Sequence, residues 1–409
     1  MNILYPICCG IDVHKKFVVA TLINSNSDGT FTDHTETFST MTNDLIRLKQ
    51  WLESFNCKDV AMESTGKYWI PVFNILEDSC NITLANPRFV KNMPGKKTDP
   101  NDSRWLGKLH RHGLVPGSFI PPKDIRQLRE LTRYRTKLTN MRSSEKNRLQ
   151  NSLTVCNIML SNVVSDTSGL SSRKIIEALL NGEDLSPDNL REFVHGKLHK
   201  KIPDLQEALN GKLTEHQISK IKVILEHFFQ INECLAEVDL LILEKTKPYQ
   251  YYISLLETIP GIKQKAAQTI LSEIGTDMSV FFSDQHLCSW AGVSPRNNQS
   301  AGKKKSTKIG EGDSYLKPIL CQCANAAVKS KSSFLCAKYK SVASRRGHKK
   351  AIIAVARVML VAIYHMFKNN EPFKDMGHDN YSKMISDQKQ RAMVKELESL
   401  GYKVEKVVK

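Results

Sequence analysis

The chain has 409 residues, 41% hydrophobic and 25% charged, enough apolar material for packed cores and for two or three domains. Fifty-nine Lys and Arg against forty-two Asp and Glu leave a net charge of +17, which points to a polyanionic partner, most simply nucleic acid. No run of about 18 apolar residues is apparent, so no membrane span is expected, and the start MNILYPICCGIDVHKK lacks the features of a signal peptide.

In chain order, ICCGIDV (7–13) and FVVATLIN (17–24) read as strands joined by His14, Lys15 and Lys16. FTDHTETFS continues with strand-like alternation after the turn cluster 24–30. TNDLIRLKQWLESF reads as an amphipathic helix, DVAMES (59–64) as a short strand, YWIPVFNILED as a helix opened by Gly66, and NITLAN (81–86) as a further strand. The layout is a mixed α/β sheet. KKTDPNDSRWLGKL (96–109) then starts a helix. Asp99 fits an N-cap, Pro100 the first helical position and Asp102 the first turn. The alternative is that these two carboxylates hold a metal.

From about Asp124 the texture changes to helices rich in arginine. Leu128, Leu131, Leu138 and Leu149 mark one face, surrounded by Arg129, Arg133, Arg142 and Arg148. These basic helices suit RNA or DNA equally. Ile221, Ile224, Phe228, Ile231, Leu235, Val238 and Ile242 form a heptad seam, which fits either self-association or an antiparallel pair within one chain. LLETIPGIKQKAAQTILSEIG (255–275) resembles a helix-hairpin-helix, in which Gly261, with Lys263 beside it, lets the backbone approach a phosphate; a plain structural hairpin is the alternative. Helices follow around 284–291, 313–329 and 348–368, interrupted by the lysine-rich loop 296–308 with Lys303, Lys304 and Lys305. Residues 371–409 read as a polar, peripheral tail. The ten cysteines are scattered and read as reduced core residues of an intracellular protein. Cys321 and Cys323 have no second pair at zinc-site spacing.

The order of four acids carries the chemistry. Asp12 lies in the first strand and Glu63 at the end of a later strand; Asp99 and Asp102 open the following helix. A ribonuclease-H-like fold assembles its metal site in this way. Taken singly, each acid is weak evidence, and ordinary hydrogen bonding or capping is the commoner explanation. Together, hard oxygen donors select Mg²⁺ or Mn²⁺, and two such ions suit phosphodiester cleavage. Lys15, Lys16, Lys91, Lys96 and Lys97 would hold the phosphate backbone.

GIDVHKKFVVATL, AMESTGKYW, NPRFVKNMPGKKTDPNDSRWLGKL, TIPGIKQKAAQTILSEIG and FFSDQHLCSWAGVSPRNNQSAGKKKSTKIGEGDSYLK resemble, in this order, the insertion-sequence transposases of the "one-ten" family. The resemblance implies a RuvC-like Asp-Glu-Asp-Asp domain in which Asp12, Glu63, Asp99 and Asp102 bind metal. It implies a serine nucleophile after Ala291-Gly292-Val293-Ser294-Pro295, here Ser300, with Ser294 and Ser306 as alternatives. Ala301 departs from the glycine usual after that serine. It further implies a serine–DNA covalent intermediate, donor and target DNA as substrates, a noncoding bridge RNA as guide, and a homo-oligomer, dimer or tetramer, in which the acids of one subunit work with the serine of another. The expected location is the prokaryotic cytoplasm, at the nucleoid. The expected domains are a RuvC-like unit (1–120), a helical and coiled-coil domain (121–250), an all-helical C-terminal transposase domain (251–370) and the tail (371–409). A junction-resolving nuclease using activated water, or a non-enzymatic nucleic-acid-binding protein, are the alternatives.

Overall fold

The structure, a computed structural model, describes residues 2–26, 28–63, 66–86, 102–296, 298–300, 303–306 and 308–404, without the side chains at 298–300, 303–305, 382, 385, 388 and 389. The chain divides into two compact units, Met1–Ile120 and Pro121–Lys409.

The first unit is built on five strands: β1 (Ile7–Val13), β2 (Phe17–Ser25), β3 (Phe31–Ser39), β4 (Asp59–Glu63) and β5 (Asn81–Ala85), in the order β3-β2-β1-β4-β5. Strand β2 is antiparallel to both neighbours, while β1, β4 and β5 run parallel. That connectivity is ribonuclease-H-like, as the strand pattern predicts. Side chains alternate across the sheet. One face of β1 and β2 (Ile11, Val13, Leu22) packs with Phe38, Met62, Leu48, Leu52 and Leu76 under helices α1 (Thr42–Ser54) and α2 (Trp69–Leu76). The opposite face carries Ala61 and Ala85 against Leu106 and Leu109 of α3 (Asp102–Arg111). Helix α3 buries Ser103, Leu106, Gly107 and His110, a three-and-four spacing that forms one stripe.

The second unit is helical. Its spine is α4 (Lys123–Val155). Beyond α4 come α5 (Leu170–Asn181), α6 (Pro187–Phe193) and α7 (Ile202–Ala208), which close a small apolar core around Ile175, Leu190 and Leu205. Helix α8 (Glu215–Thr246), capped by the Thr214 side chain, returns along α4. Every residue of the heptad seam is buried. The cross-contacts Lys245–Gln127, Arg135–Asp239, Arg142–Asn232 and His227–Glu145 fix α4 and α8 as antiparallel partners. The seam that pointed toward self-association is therefore satisfied within one chain. A heptad pattern records only that an apolar stripe needs a partner, and α4 supplies it.

Helices α9 (Gln250–Glu257) and α10 (Gln264–Ile274) form the expected hairpin, followed by α11 (Asp284–Trp290), the ribbon β6 (Asn298–Ser300) and β7 (Lys303–Ser306), then α12 (Leu316–Ala327), α13 (Phe334–Arg346), α14 (His348–Asn369) and α15 (His378–Ser399). Helix α14 is long and apolar enough to cross a membrane by length and composition alone. Here it is a core helix, with Val355, Met359, Leu360 and Ile363 fully buried. The segment read as a peripheral tail is also tied down at its start. The Asp375 carboxylate accepts from Ser333 Oγ at 2.7 Å and Phe334 N at 3.0 Å, and Tyr381 packs edge-on against Phe334.

Candidate catalytic site and nucleic-acid interface

Strands β1 and β4 pair in parallel through Ile11 and Met62. One step further along the same register stand Asp12 and Glu63, neighbours at the carboxyl ends of adjacent strands. In a parallel pair such neighbours share a face. It is the α3 face: the Cys8 thiol points to Gly107 O at 3.7 Å, and a Cβ added at Gly10 would collide with Ser103 O and Gly107 N. Period two then puts Asp12 on the same side as Cys8 and Gly10.

Helix α3 runs opposite to β1. Its last residue, Arg111, accepts from Leu4 N at 2.9 Å, while Ser103 near its start lies over Gly10 and bonds Thr21 Oγ1 at 2.7 Å. The N-terminal end of α3, where Asp102 sits exposed, therefore lies toward the Asp12 end of the strand. Small residues make the approach possible: Gly10, Thr21, Ser103 and Gly107 let helix and sheet backbones touch. Sequence reasoning missed this contact, although the glycine within an apolar strand was a readable signal.

Asp12 is 17% exposed, and its carboxylate faces His14 Nε2 at 3.1 Å. The His14 ring also packs against Phe17, tilted, with centroids 4.5 Å apart at the β1–β2 turn. The turn residues Lys15 and Lys16 are exposed beside it. Asp99, together with Lys91, Lys96 and Lys97, lies outside the described residues. Among the described residues no group of three His, Cys, Asp or Glu side chains is poised around one point. The donors brought together are carboxylates, whose chemistry fits a hard divalent cation. All ten cysteines are free, and burial pushes Cys8 up to about 12, so it is no nucleophile.

Helix α3 also carries cations. Arg104 pairs with Asp33 (2.8 Å), and Arg104, Lys108 and Arg111 surround the Phe31 ring. Arg111 is buried and donates to Gly29 O at 2.8 Å, so its charge serves the β2–β3 turn.

In the second unit, Arg129 and Arg133 make contacts within the protein. Arg133 makes a bidentate pair with the fully buried Glu273 (2.8 and 2.7 Å) and reaches Asp313 at 3.2 Å. Arg129 lies 3.3 Å from Glu273 and donates to Ser272 O at 3.0 Å. Burial raises the Glu273 carboxyl, and the hydrogen bond from Arg133 opposes that shift. A buried carboxylate needs such partners, and its isolated position in α10 gave no sign of them. Likewise Gly261, at φ +87°, is required by packing: a Cβ there would lie 2.7 Å from Ala327 N. Its close approach is to the end of α12. Lys263, at the start of α10, is exposed.

The serine loop has a defined base. Gly292 and Gly312, at φ +71° and +62°, cross so closely that a Cβ on Gly292 would stand 2.7 Å from Gly312 Cα. Arg296 N then donates to Lys308 O at 3.0 Å, and Pro295 bridges Ile309. Ser300 ends β6, paired with Lys303; Lys304 faces Gln299 and Lys305 lies in β7. Of the alternatives, Ser306 Oγ accepts from Lys308 N, and the Ser294 Oγ atom is buried with no hydrogen-bond partner among the described residues. Asp313 links the base to the buried network: it accepts from Tyr315 N and Leu316 N, capping α12, while holding Arg133.

A family model for the DEDD-type IS110 domain, described as "Transposase", matches residues 9–158. A second, "Transposase IS116/IS110/IS902 family", matches residues 253–340. The chain is 25% identical over 387 residues to the "Pilin gene-inverting protein" of Moraxella lacunata, covering 90% of this chain and 98% of that relative. It is 24% identical to the protein of that name from Moraxella bovis, with the same coverage. Among solved structures it is similar to "T. thermophilus RuvC in complex with Holliday junction substrate", at 13% identity and a TM-score of 0.22, covering 27% of this chain and 99% of that one. The "Thermus thermophilus RuvC structure" matches at 15% identity and a TM-score of 0.20, covering 29% of this chain and 85% of that one.

Proposed function

We propose that this chain, which belongs to the IS110 family of transposases and is thus an enzyme acting on DNA, exchanges DNA strands using Asp12, Glu63, Asp99 and Asp102 as its acids and Ser300 as its nucleophile. The observation that carries the reading is the parallel register that sets Asp12 beside Glu63 under the N-terminal end of α3. Asp12, Glu63, Asp99 and Asp102 would hold Mg²⁺ or Mn²⁺. Bound there, the cation supplies charge neutralisation at the attacked phosphate and the leaving oxygen.

The remaining work falls to the protein's own residues. Strands β1 and β4 fix the spacing of two carboxylates, and the His14 imidazole orients one of them. Lys15 and Lys16 grip the backbone beside the site. Ser300, on a ribbon pinned at its glycine base, attacks phosphorus; its Oγ–P bond forms as the bond to the departing DNA oxygen breaks. The covalent link conserves a phosphodiester, so a strand can be rejoined without an external energy source. The gene inversion named for the Moraxella relatives requires strands to be broken and rejoined, which favours exchange over hydrolysis by an activated water. Site choice by an element-encoded noncoding RNA, and a homo-oligomer that combines the acids of one subunit with the serine of another, complete the proposal and rest on the family resemblance.

The test is recombination of donor and target DNA with Mg²⁺ and the element's RNA. Asp12→Ala and Ser300→Ala each abolish product while DNA binding persists, and a denaturing gel shows a protein–DNA adduct only when Ser300 is present. Full recombination by Ser300→Ala would remove the serine, and free ends without an adduct would return the reaction to hydrolysis.

A further inference from the structure

Between Asp313 and Glu371 the chain carries eleven lysines and arginines and no aspartate or glutamate. The chain as a whole has 59 cationic and 42 acidic residues, so this stretch stands apart from its background. It folds as α12, α13 and α14. Four of its cations, Arg345, Arg346, Lys349 and Lys350, gather where α13 ends and α14 begins. A single residue, Gly347, separates the two helices; its φ is +79°, and a Cβ there would meet nothing within 4 Å. The corner is open to solvent, and all four cations are exposed. Tyr339 and His348, joined at 2.9 Å, brace α13 against α14.

Helix stability explains only half of this placement: Arg345 and Arg346 lie in the last turn of α13, where the dipole favours cations. Lys349 and Lys350 occupy the first turn of α14, where the helix dipole disfavours cations, and no acidic residue offsets them there. Among the described residues none of the four joins an ion pair; Arg345 Nε only caps Ser341 O at 3.2 Å. Like charges crowded in this way repel one another unless an anion neutralises them.

We propose that the α13–α14 corner docks the phosphate backbone of duplex DNA, gripping it without reading sequence. The partner is DNA because the family acts on DNA, and on that part of the functional reading alone the inference rests. It does not need the serine or the acids. Backbone contacts of this type position a protein on its substrate and leave sequence to other elements.

The experiment measures binding of the full-length protein to a fluorescent random-sequence duplex, without divalent metal, over a series of salt concentrations. The variant Arg345→Gln, Arg346→Gln, Lys349→Gln, Lys350→Gln should flatten the dependence of log K on log salt by about 0.9 for each phosphate it no longer neutralises. A control removing the exposed Lys174, Lys197, Lys220 and Lys222 changes net charge equally and should leave the slope near that of the parent. Arg345→Lys with Arg346→Lys should also keep it. An unchanged slope in the quadruple variant overturns the proposal. So does weakened binding confined to an RNA hairpin of equal phosphate count, with duplex binding intact. Parent protein that binds DNA but never recombines it would instead sink the serine-and-acid mechanism and leave this surface standing.

Discussion

Gly10 of β1 and Gly107 of α3 meet backbone to backbone: a Cβ added at Gly10 would stand 2.9 Å from Gly107 Cα and collide with the neighbouring nitrogen. The contact sets how closely α3 lies on the sheet, and so where Asp102 comes relative to Asp12. Overfilling it should cost about 1–3 kcal/mol or more. Gly10→Ala is expected to lower the melting temperature and to reduce recombination further than the reduced stability accounts for, assayed where the variant is still folded. Gly117→Ala, whose added Cβ would meet Thr83 at an ordinary 3.6 Å, should leave both measurements near the parent.

Removal of divalent metal is expected to stop strand cleavage and leave DNA binding in place. Glu63→Gln keeps the shape of the side chain and removes its charge, so it should raise the Mg²⁺ concentration needed for half-maximal cleavage by tenfold or more, about 1.4 kcal/mol per factor of ten. A metal titration of cleavage on one DNA substrate reads this directly. An unaltered titration would take Glu63 out of the site.

The buried network of Glu273 with Arg129 and Arg133 makes a third expectation. Glu273→Ala removes the fully buried carboxylate that pairs Arg129 and Arg133, leaving Arg133 with Asp313 and Arg129 without its acidic partner. Breaking such a pair costs about 3–5 kcal/mol. Arg133→Ala should likewise destabilise, read by urea unfolding, with little effect on the salt dependence of DNA binding. A flattened salt dependence at unchanged stability would reinstate Arg133 as a DNA ligand.

His110 is almost fully buried, stacked on Tyr5 at 4.5 Å, and burial pulls its imidazole down to about 4 from an ordinary 6.5. Above pH 6.5 it is neutral in both folded and unfolded chains. Between 6.5 and 4 only the unfolded chain takes up the proton, so stability falls as pH drops, by about 3 kcal/mol in total, and the fall is complete below 4. His110→Phe keeps the stack and removes the titration. Denaturant unfolding at pH 7 and pH 5 should show a smaller pH dependence in that variant.

The sequence by itself determined the local periodicities. Alternation in ICCGIDV and FVVATLIN fixed strands, the amphipathic spacing of Leu45, Leu48 and Leu52 fixed α1, and acids on two strands before an acidic helix start announced the order of a ribonuclease-H-like sheet. These follow from backbone sterics and side-chain burial, which act over a few residues. It also carried the acid-free stretch after Asp313 in plain view. Only the tertiary structure decided which long-range partner each group meets. Periodicity showed that the α8 seam needed covering, and the fold chose α4. Nothing in the local sequence of Arg129 and Arg133 points to their shared partner, the buried Glu273, 140 residues from Arg133. Gly261 read as either a phosphate contact or a plain hairpin turn, and the fold sets it against α12. The same holds for the start of α3: the Asp12 end of β1 lies beneath Asp102 only because Gly10 and Gly107 remove the side chains that would hold helix and strand apart.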